Sequence, residues 1–459
     1  MPRKVSRSDS HVCFKCIGDP IVKKIVKDGG KKRLCSFCKS RRQSLTITKL
    51  AEVVDPVFRE YYSKAPDEPH SSTDSDDVEY FADGESVETI LESMLDPASF
   101  EIAEAVAKEL EASEDFDAKG GEVAFYGILN GYEATVSDFD YSDIWKEFCE
   151  SLQHETRFFN ESAIDILNDL FGEIGGSYTT QSGKSLIYEI GPGRSTDNVF
   201  RARLVPNREA LIKIARNPAS EMGNPPAFNA MAGRMNPAGV SVFYGALEPE
   251  TCTAELRMVA GEQALVGKFQ VIKPLLVIDL TAFEDLYSSK RLSMFDSEFK
   301  FTVARLKFLG RLQFEISKPI RLADQEINYV PTQVVAEYLS RIRKPRIDGI
   351  VYGSAQRAGG KNIAILNHAA TVERVVMPTE PDCAVTETDD EIFIIKYEEK
   401  EQTLPTPPTV QVNSSLRFQS DSIRLIEAVS VEYSVKQRNV ILKELGNPIG
   451  SASNADDIL

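Results

Sequence analysis

Near its middle the chain reads Gly233-Arg-Met-Asn-Pro-Ala-Gly-Val-Ser-Val-Phe-Tyr-Gly-Ala-Leu-Glu-Pro-Glu-Thr-Cys-Thr-Ala-Glu-Leu-Arg257. A run rich in glycine, asparagine and proline comes first, and the alternating stretch 240–246 then predicts a β-strand. Pro249 is typical of a helix start and Gly261 of a helix end, so we expect a short helix at 250–260. The sequence therefore predicts a loop, a strand and a helix in succession.

Three side chains of this stretch stand at near-even intervals: Arg234, Tyr244 and Glu255. A planar guanidinium in a glycine-rich loop suits a pyrophosphate, and a carboxylate suits developing positive charge. Taken singly, each residue has an ordinary explanation: a surface salt bridge, an edge aromatic and a solvated helix face. Their occurrence together favours a ligand site.

A second stretch reads Asp348-Gly-Ile-Val-Tyr-Gly-Ser-Ala-Gln-Arg-Ala-Gly-Gly-Lys-Asn-Ile-Ala-Ile-Leu366 and places Ser354 between strand signals at 349–352 and 362–366. Alone, Ser354 would be a turn serine. Further patterns predict three strands and two helices, at 199–205, 266–272, 275–280, 296–309 and 331–343. Strands and helices without regular alternation indicate an α+β fold rather than a doubly wound sheet.

Together these residues resemble the RES domain, which is named for its arginine, glutamate and serine. Gly233-Arg234, Tyr244, Glu255 and Ser354 occur in the order of its pattern. The resemblance covers a core at 198–370 within a domain at 195–440. One departure is Met235, because the pattern usually has an aromatic residue after Gly-Arg.

The resemblance implies a mixed α/β fold like that of ADP-ribosyltransferases and an enzyme that degrades NAD as a toxin, with an antitoxin as its partner. Arg234 would then bind the dinucleotide phosphates, with Arg201 or Arg203 as a second clamp. Tyr244 would pack on the nicotinamide or its ribose. These residues are the expected binding set for NAD as substrate.

The resemblance also implies that Glu255 binds the ribose hydroxyls and stabilises the cationic sugar, while Ser354 orients Glu255 or the ribose. One fixed carboxylate suffices because nicotinamide leaves as a neutral ring and needs no strong general acid. The acceptor stays open between water and phosphate. Two other functions also stay open: ADP-ribose transfer to a protein or nucleic acid, and a zinc-ribbon nucleic-acid-binding protein with an inactive RES domain.

The chain's seven cysteines include two Cys-x-x-Cys pairs that are separated by 18 residues. Two such knuckles bring four thiolates to one tetrahedral zinc ion, so we expect a structural zinc ribbon at 1–48. Its ligands would be Cys13, Cys16, Cys35 and Cys38. The remaining cysteines are expected to be small buried apolar side chains.

The net charge of −17 hides an asymmetry along the chain. Residues 1–50 hold 14 basic and 3 acidic residues, whereas residues 51–120 hold 4 basic and 21 acidic residues. The basic ribbon suits either nucleic acid phosphates or the acidic segment that follows it. Both interpretations stay open on the sequence.

A mainly helical domain is expected at 49–190, with helical patterns at 49–62, 89–113 and 142–173 and a polar acidic connector at 64–88. It resembles the HEPN-related module that accompanies some RES domains. Active HEPN ribonucleases carry a closely spaced arginine and histidine on one helix, and no histidine here has such a partner. A docking or regulatory role is therefore expected.

The composition sets outer bounds on these interpretations. With 42% hydrophobic residues the chain can bury real cores, and no run of 18 apolar residues predicts a spanning helix. The first residues lack the apolar core of a secretory signal, so a cytoplasmic location is the expectation and a membrane partner is not expected. Residues 446–459 are expected to form a flexible tail.

Overall fold

The structure is a computed structural model in which 15 segments are described. These are residues 10–71, 78–82, 84–113, 124–127, 130–135, 140–176, 178–289, 291–318, 320–321, 324–373, 375–376, 382–387, 392–397, 409–410 and 413–431. The predicted tail at 446–459 and the end of the predicted RES domain at 432–440 lie outside them. No helix of these segments is both long and apolar enough to cross a membrane.

The N-terminal ribbon is a three-stranded antiparallel sheet with one helix against it. Its elements are β1 (His11–Cys13), α1 (Pro20–Gly29), β2 (Lys31–Leu34) and β3 (Arg41–Thr46), with β3 in the centre. Helix α1 begins at Pro20 because the carboxylate of Asp19 accepts hydrogen bonds from two backbone N–H groups of its first turn. Val22 and Val26 then form its buried face.

Helices follow the ribbon and share its core. They are α2 (Ile47–Tyr61), α3 (Val87–Leu95) and α4 (Phe100–Ser113). The predicted helical segment 89–113 divides into two helices because Asp96 adopts a left-handed backbone conformation just before Pro97. Leu50, Val54 and Phe58 of α2 are fully buried in the same cluster as the ribbon's Val12. Ribbon and helices therefore form one N-terminal unit.

The acidic connector differs from its sequence interpretation. Within 64–88 the backbone pairs β5 (Asp67–Ser71) with β6 (Val78–Ala82), and β4 (Tyr62–Lys64) pairs with β7 (Tyr132–Ala134). Main-chain hydrogen bonds between strands need no apolar side chains, so a polar composition did not reveal this pairing.

The last helical pair packs away from the N-terminal unit. Helix α5 (Tyr141–Glu150), which continues as a π-helical turn, and α6 (Glu161–Phe171) share a core with the helices of the C-terminal region. Trp145 stacks on Phe148 and contacts Phe308. The packing thus divides the predicted segment 49–190 between two cores.

The C-terminal region is built on an eight-stranded sheet. Its strands, in spatial order, are β21 (Leu416–Glu427), β12 (Gln263–Val271), β10 (Asn198–Leu204), β11 (Phe243–Ala246), β16 (Lys361–Ile365), β15 (Gly349–Gly353), β13 (Leu275–Asp279) and β9 (Ile187–Ile190). All neighbours are antiparallel except the parallel pair of β13 and β15. The predicted strands are found, and the mixed α/β class is confirmed.

Helices cover both faces of this sheet. One face carries α10 (Phe299–Ser317) and α12 (Val330–Arg341) together with α5 and α6, and the other face carries α7 (Arg208–Arg216). The short strands and helices that complete the described elements are β8 (Tyr178–Thr180), α8 (Pro218–Glu221), α9 (Pro249–Glu255), β14 (Leu286–Ser288), α11 (Gln325–Asn328), β17 (Val375–Val376), β18 (Asp382–Glu387), β19 (Ile392–Tyr397) and β20 (Thr409–Val410).

Helix α10 links the two units of the chain. At its first turn, the ring of Phe299 contacts Tyr61 with centroids 5.1 Å apart, and Lys300 pairs with Glu60 at 3.5 Å. Just before the helix, Met294 and Phe295 pack against the N-terminal core. The same helix forms a wall of the C-terminal core along its length.

A buried cation joins α6 to α10. Arg305 on α10 is 8% exposed, pairs with Asp169 on α6 and donates to the Tyr178 hydroxyl at 3.2 Å. We expect Asp169→Asn to lower the free energy of unfolding by about 1–2 kcal/mol, because it leaves the Arg305 charge without its partner while Asp169 itself is partly solvated. Thermal unfolding measures this effect. Asp165→Asn, one turn earlier and exposed, is the matched control, and equal melting temperatures would contradict the prediction.

Candidate functional site

The four predicted ligand cysteines come together in the ribbon. Their sulfur atoms all lie within 4.8 Å of one another. The Cys13 sulfur is 3.6 Å from those of Cys16 and Cys38, and the sulfurs of Cys16 and Cys35 are 3.8 Å apart. Tetrahedral zinc with Zn–S bonds of about 2.3 Å requires sulfur separations of about 3.8 Å, so the quartet could hold such an ion.

The thiols of the quartet differ in acidity. Burial raises the pKa of Cys16, whereas the backbone N–H of Ser40 lowers the pKa of Cys38 to about 6. A metal ion binds thiolates, so its binding would have to displace the proton of the buried Cys16 thiol.

The ribbon's basic hairpin is open to solvent. All four residues of β2 are exposed, including Lys31, Lys32 and Arg33. In the described part of the chain, no ion pair joins a ribbon side chain to the acidic segment after it. Binding of nucleic acid at this hairpin remains a proposal.

Glu255 and Ser354 meet at one end of the sheet. Glu255 is the last residue of α9, and the helix ends there because Arg257 adopts a left-handed conformation. This is earlier than the predicted end at 260. The Ser354 hydroxyl donates to Glu255 Oε1 at 2.6 Å, and the side-chain amide of buried Asn362 donates to the same oxygen at 2.7 Å. One carboxylate oxygen is therefore fixed by two donors.

The direction of the Ser354 hydroxyl follows from its other contacts. Its oxygen accepts from the backbone N–H groups of Gln356 and Arg357, both at 3.1 Å. A hydroxyl has one proton and two lone pairs, so these bonds leave the proton for Glu255. The turn after β15 thus orients Ser354 as a hydrogen-bond donor to Glu255 Oε1. The other carboxylate oxygen, Glu255 Oε2, has no hydrogen-bond partner within the described chain.

Tyr244 anchors the loop that carries Arg234. Its hydroxyl accepts from the backbone N–H of Met235 at 2.8 Å and donates to Asn236 Oδ1 at 2.7 Å. A Cβ atom at Gly233 would lie 2.6 Å from this hydroxyl, so the close approach requires glycine. Met235, which departs from the RES pattern, is buried. Burial raises the pKa of Tyr244, which keeps the hydroxyl protonated.

Arg234 is bound to protein groups. Its guanidinium donates to the carbonyl oxygen of Ile316 and, at 3.0 Å, to that of Lys318, and it lies 5.3 Å from the ring centre of Tyr329. These carbonyls belong to the end of α10, where a helix leaves its last acceptors unpaired. Arg234 therefore caps a helix in this structure.

The two other predicted arginines lie apart from Glu255. Arg203 is exposed and pairs with Glu221 at 2.9 Å. Arg201 lies 5.2 Å from the ring centre of Phe243, and its Nη1 is buried with no hydrogen-bond partner within the described chain. Burial, followed by the neighbouring charge of Arg203, lowers the pKa of Arg201 to about 10. Since Tyr244 follows Phe243 on β11, Arg201 and Tyr244 lie toward opposite faces of the sheet.

The structure adds Tyr352 and Asn362, which were not assigned roles from the sequence. The two residues are directly paired between β15 and β16, so their side chains share a face. Tyr352 is 8% exposed, and burial raises its pKa; Tyr244, Arg234 and Glu255 all act on its hydroxyl electrostatically. Tyr352 thus lies near the predicted site residues Tyr244, Arg234 and Glu255. The alternation of the two strands on either side of the Gly359-Gly360 turn is the sequence signal that could have indicated Tyr352 and Asn362.

A large cavity of the described chain borders this cluster at Ser354. It is an open cleft of about 990 Å³ at the end of β13 and β15, and its wall includes Gly353, Ser354 and Lys361. Ser354, which lines the cleft, donates its hydroxyl proton to Glu255.

Two family models match the chain. Residues 207–386 match the RES domain, and residues 28–165 match the HEPN/RES N-terminal domain 1. The first match contains Arg234, Tyr244, Glu255 and Ser354, and the second begins inside the ribbon. No curated protein and no solved structure matches the chain.

Proposed function

We propose that this chain, a RES-domain protein with a HEPN/RES N-terminal domain, cleaves the N-glycosidic bond between nicotinamide and ribose in NAD. The observation that carries the proposal is the Glu255 carboxylate, which has one oxygen fixed by Ser354 and Asn362 and the other without a hydrogen-bond partner among the described residues. A preorganised carboxylate of this kind stabilises positive charge that develops on a bound sugar.

The reaction needs little else from the protein. As the bond from C1′ to the pyridinium nitrogen breaks, its electron pair stays with the nitrogen and neutral nicotinamide leaves. The sugar becomes oxocarbenium-like, and the free oxygen of Glu255 is suited to stabilise it. Water then adds to C1′ and releases a proton to solvent, giving ADP-ribose; inorganic phosphate would give the phosphorylated product instead.

The contacts revise the expected phosphate clamp. Arg234 and Arg203 have protein partners, so we assign Arg234 to holding the loop against α10 and leave Arg203 at the surface. Arg201 has a buried Nη1 without a hydrogen-bond partner among the described residues, but it lies on the face of the sheet opposite Tyr244, so we do not place it in the nicotinamide site. Tyr244 and Tyr352 would form the wall beside the nicotinamide.

We infer the biological setting from the family match. The chain would remove NAD as a bacterial toxin or defence effector, and an antitoxin that covers the site would restrain it. The ribbon would hold structural zinc, and the chain would act in the cytoplasm. Transfer of ADP-ribose to a protein or nucleic acid uses the same first step, so labelled NAD that marks a macromolecule would favour it.

The test is consumption of NAD by the purified chain, with and without inorganic phosphate, and with products separated by chromatography and mass. Free nicotinamide with ADP-ribose identifies water as the acceptor, and the phosphorylated sugar identifies phosphate. Intact NAD with a folded, zinc-loaded protein would contradict the proposal and would favour a binding protein with an inactive RES domain.

Ser354→Ala is expected to lower the rate of nicotinamide release about tenfold, because a hydrogen bond to a charged group is lost while Asn362 still holds Glu255. Initial rates at saturating NAD measure the effect. Ser162→Ala, which removes an exposed hydroxyl on α6 outside the cleft, is the control and is expected to match the wild type. Equal rates for both variants would remove Ser354 from the proposed site.

A further inference from the structure

The cleft beside Ser354 has a defined place in the fold. It lies where the parallel strands β13 and β15 end, at Asp279 and Gly353. The carboxyl ends of parallel strands are a recurrent place for ligands in α/β sheets, and a volume of about 990 Å³ lies within the range for ligand clefts. Since Ser354 both lines the cleft and binds Glu255, the cleft adjoins the proposed position of the ribose.

One wall of the cleft offers an aromatic ring. Phe314 on α10 is 59% exposed, although Phe308, Leu309 and Leu312 of the same helix are buried. The neighbouring Gln313 is buried and donates to Glu284 Oε1 at 2.5 Å, which fixes this part of the wall. An exposed ring on a fixed wall suits stacking of a flat base.

Charges around the cleft suit the polar parts of a nucleotide. Lys361 lies beside the Gly359-Gly360 turn and pairs with Asp279 at 2.8 Å, and Lys184 adds a second cation at the rim. Glu284 and Asp285 supply carboxylates of the kind that accept hydrogen bonds from ribose hydroxyls. Lys361 at the Gly359-Gly360 turn suits a phosphate, whereas Glu284, which accepts from Gln313 next to Phe314, suits the nucleoside.

We propose that this cleft binds the adenosine half of NAD, with the adenine stacked on Phe314. The inference rests on the proposed cleavage of NAD and extends it to the part of the substrate that does not react. Several wall residues, from Thr180 to Thr196, precede the match to the RES domain at 207–386. The segment between the two matched domains therefore supplies part of the substrate site.

The test compares Phe314→Ala with the wild type in two measurements: kcat and KM for NAD, and the affinity for AMP by calorimetry. We expect a KM about tenfold higher, an unchanged kcat and AMP binding weakened by the same factor, because stacking on the adenine acts before and during the reaction alike. Phe314→Trp should restore both values. Phe228→Ala is the control, since Phe228 is 85% exposed and lies outside the cleft.

Each outcome decides a different point. A KM and an AMP affinity within twofold of wild type in a folded Phe314→Ala variant would overturn the adenosine site, even if NAD is cleaved. AMP binding that depends on Phe314 in a chain that leaves NAD intact would support the site and contradict the proposed cleavage. Equal losses in Phe314→Ala and Phe228→Ala would also overturn it, because they would show a general effect of removing exposed rings.

Discussion

Glu255→Gln is expected to lower the rate of nicotinamide release by on the order of 10²–10³, with the fold unchanged. Glutamine keeps the shape of the side chain, and its carbonyl oxygen can still accept from Ser354 and Asn362, which hold Glu255 at 2.6 and 2.7 Å. What it removes is the negative charge that stabilises the cationic sugar. The loss should therefore appear in kcat and leave NAD binding largely intact.

The matched control is Glu250→Gln, an exposed acid on the same helix. It is expected to release nicotinamide at the wild-type rate. Calorimetry of NAD binding to Glu255→Gln shows whether the variant has lost only the catalytic charge or also the ability to bind NAD. A Glu255→Gln variant that cleaves NAD at the rate of Glu250→Gln would remove Glu255 from the chemistry.

Cys35→Ser is expected to abolish stoichiometric zinc binding and to unfold the ribbon. Its thiol lies 3.8 Å from that of Cys16 within a quartet of buried and exposed sulfurs, and the ribbon shares one core with α2 to α4. Structural zinc supplies about 10–16 kcal/mol of apparent binding energy to small metal domains, so its loss is expected to remove a large part of the ribbon's stability. Metal analysis and limited proteolysis report the two effects.

New cleavage sites should fall within residues 10–135, where the N-terminal unit lies. Cys149→Ser is the control, because this partly buried thiol packs in the other core and has no part in the quartet. Full zinc content and an unchanged digest of Cys35→Ser would show that the quartet is not a metal site.

Local patterns predicted the strands, whereas the contact between Glu255 and Ser354 was expected from the resemblance to the RES domain. Each lies beside a clear boundary: the end of a short helix for Glu255 and the turn after a strand for Ser354. Hydrophobic periodicity and turn residues report such boundaries from a few neighbouring positions. Local patterns therefore place each residue at the boundary of its element, but the two residues are 99 positions apart, and it was the family resemblance that brought them together.

The partners of Arg234 could not be predicted in the same way. Its guanidinium binds the carbonyl oxygens of Ile316 and Lys318, and no local pattern states which helix end will lie against a loop. For a similar reason the sequence did not show that α5 and α6 pack apart from the N-terminal unit. An apolar face indicates that a helix is buried, but it does not indicate which element covers it.

Helix α10 has a mechanical consequence for the whole chain. Its 19 residues form a rod about 28 Å long. At one end of the rod, Phe299 and Lys300 contact α2 of the N-terminal unit, and at the other end Arg234, in the loop that Tyr244 anchors, binds the last carbonyl oxygens. A displacement of α10 at the N-terminal unit is therefore expected to shift the loop that carries Arg234.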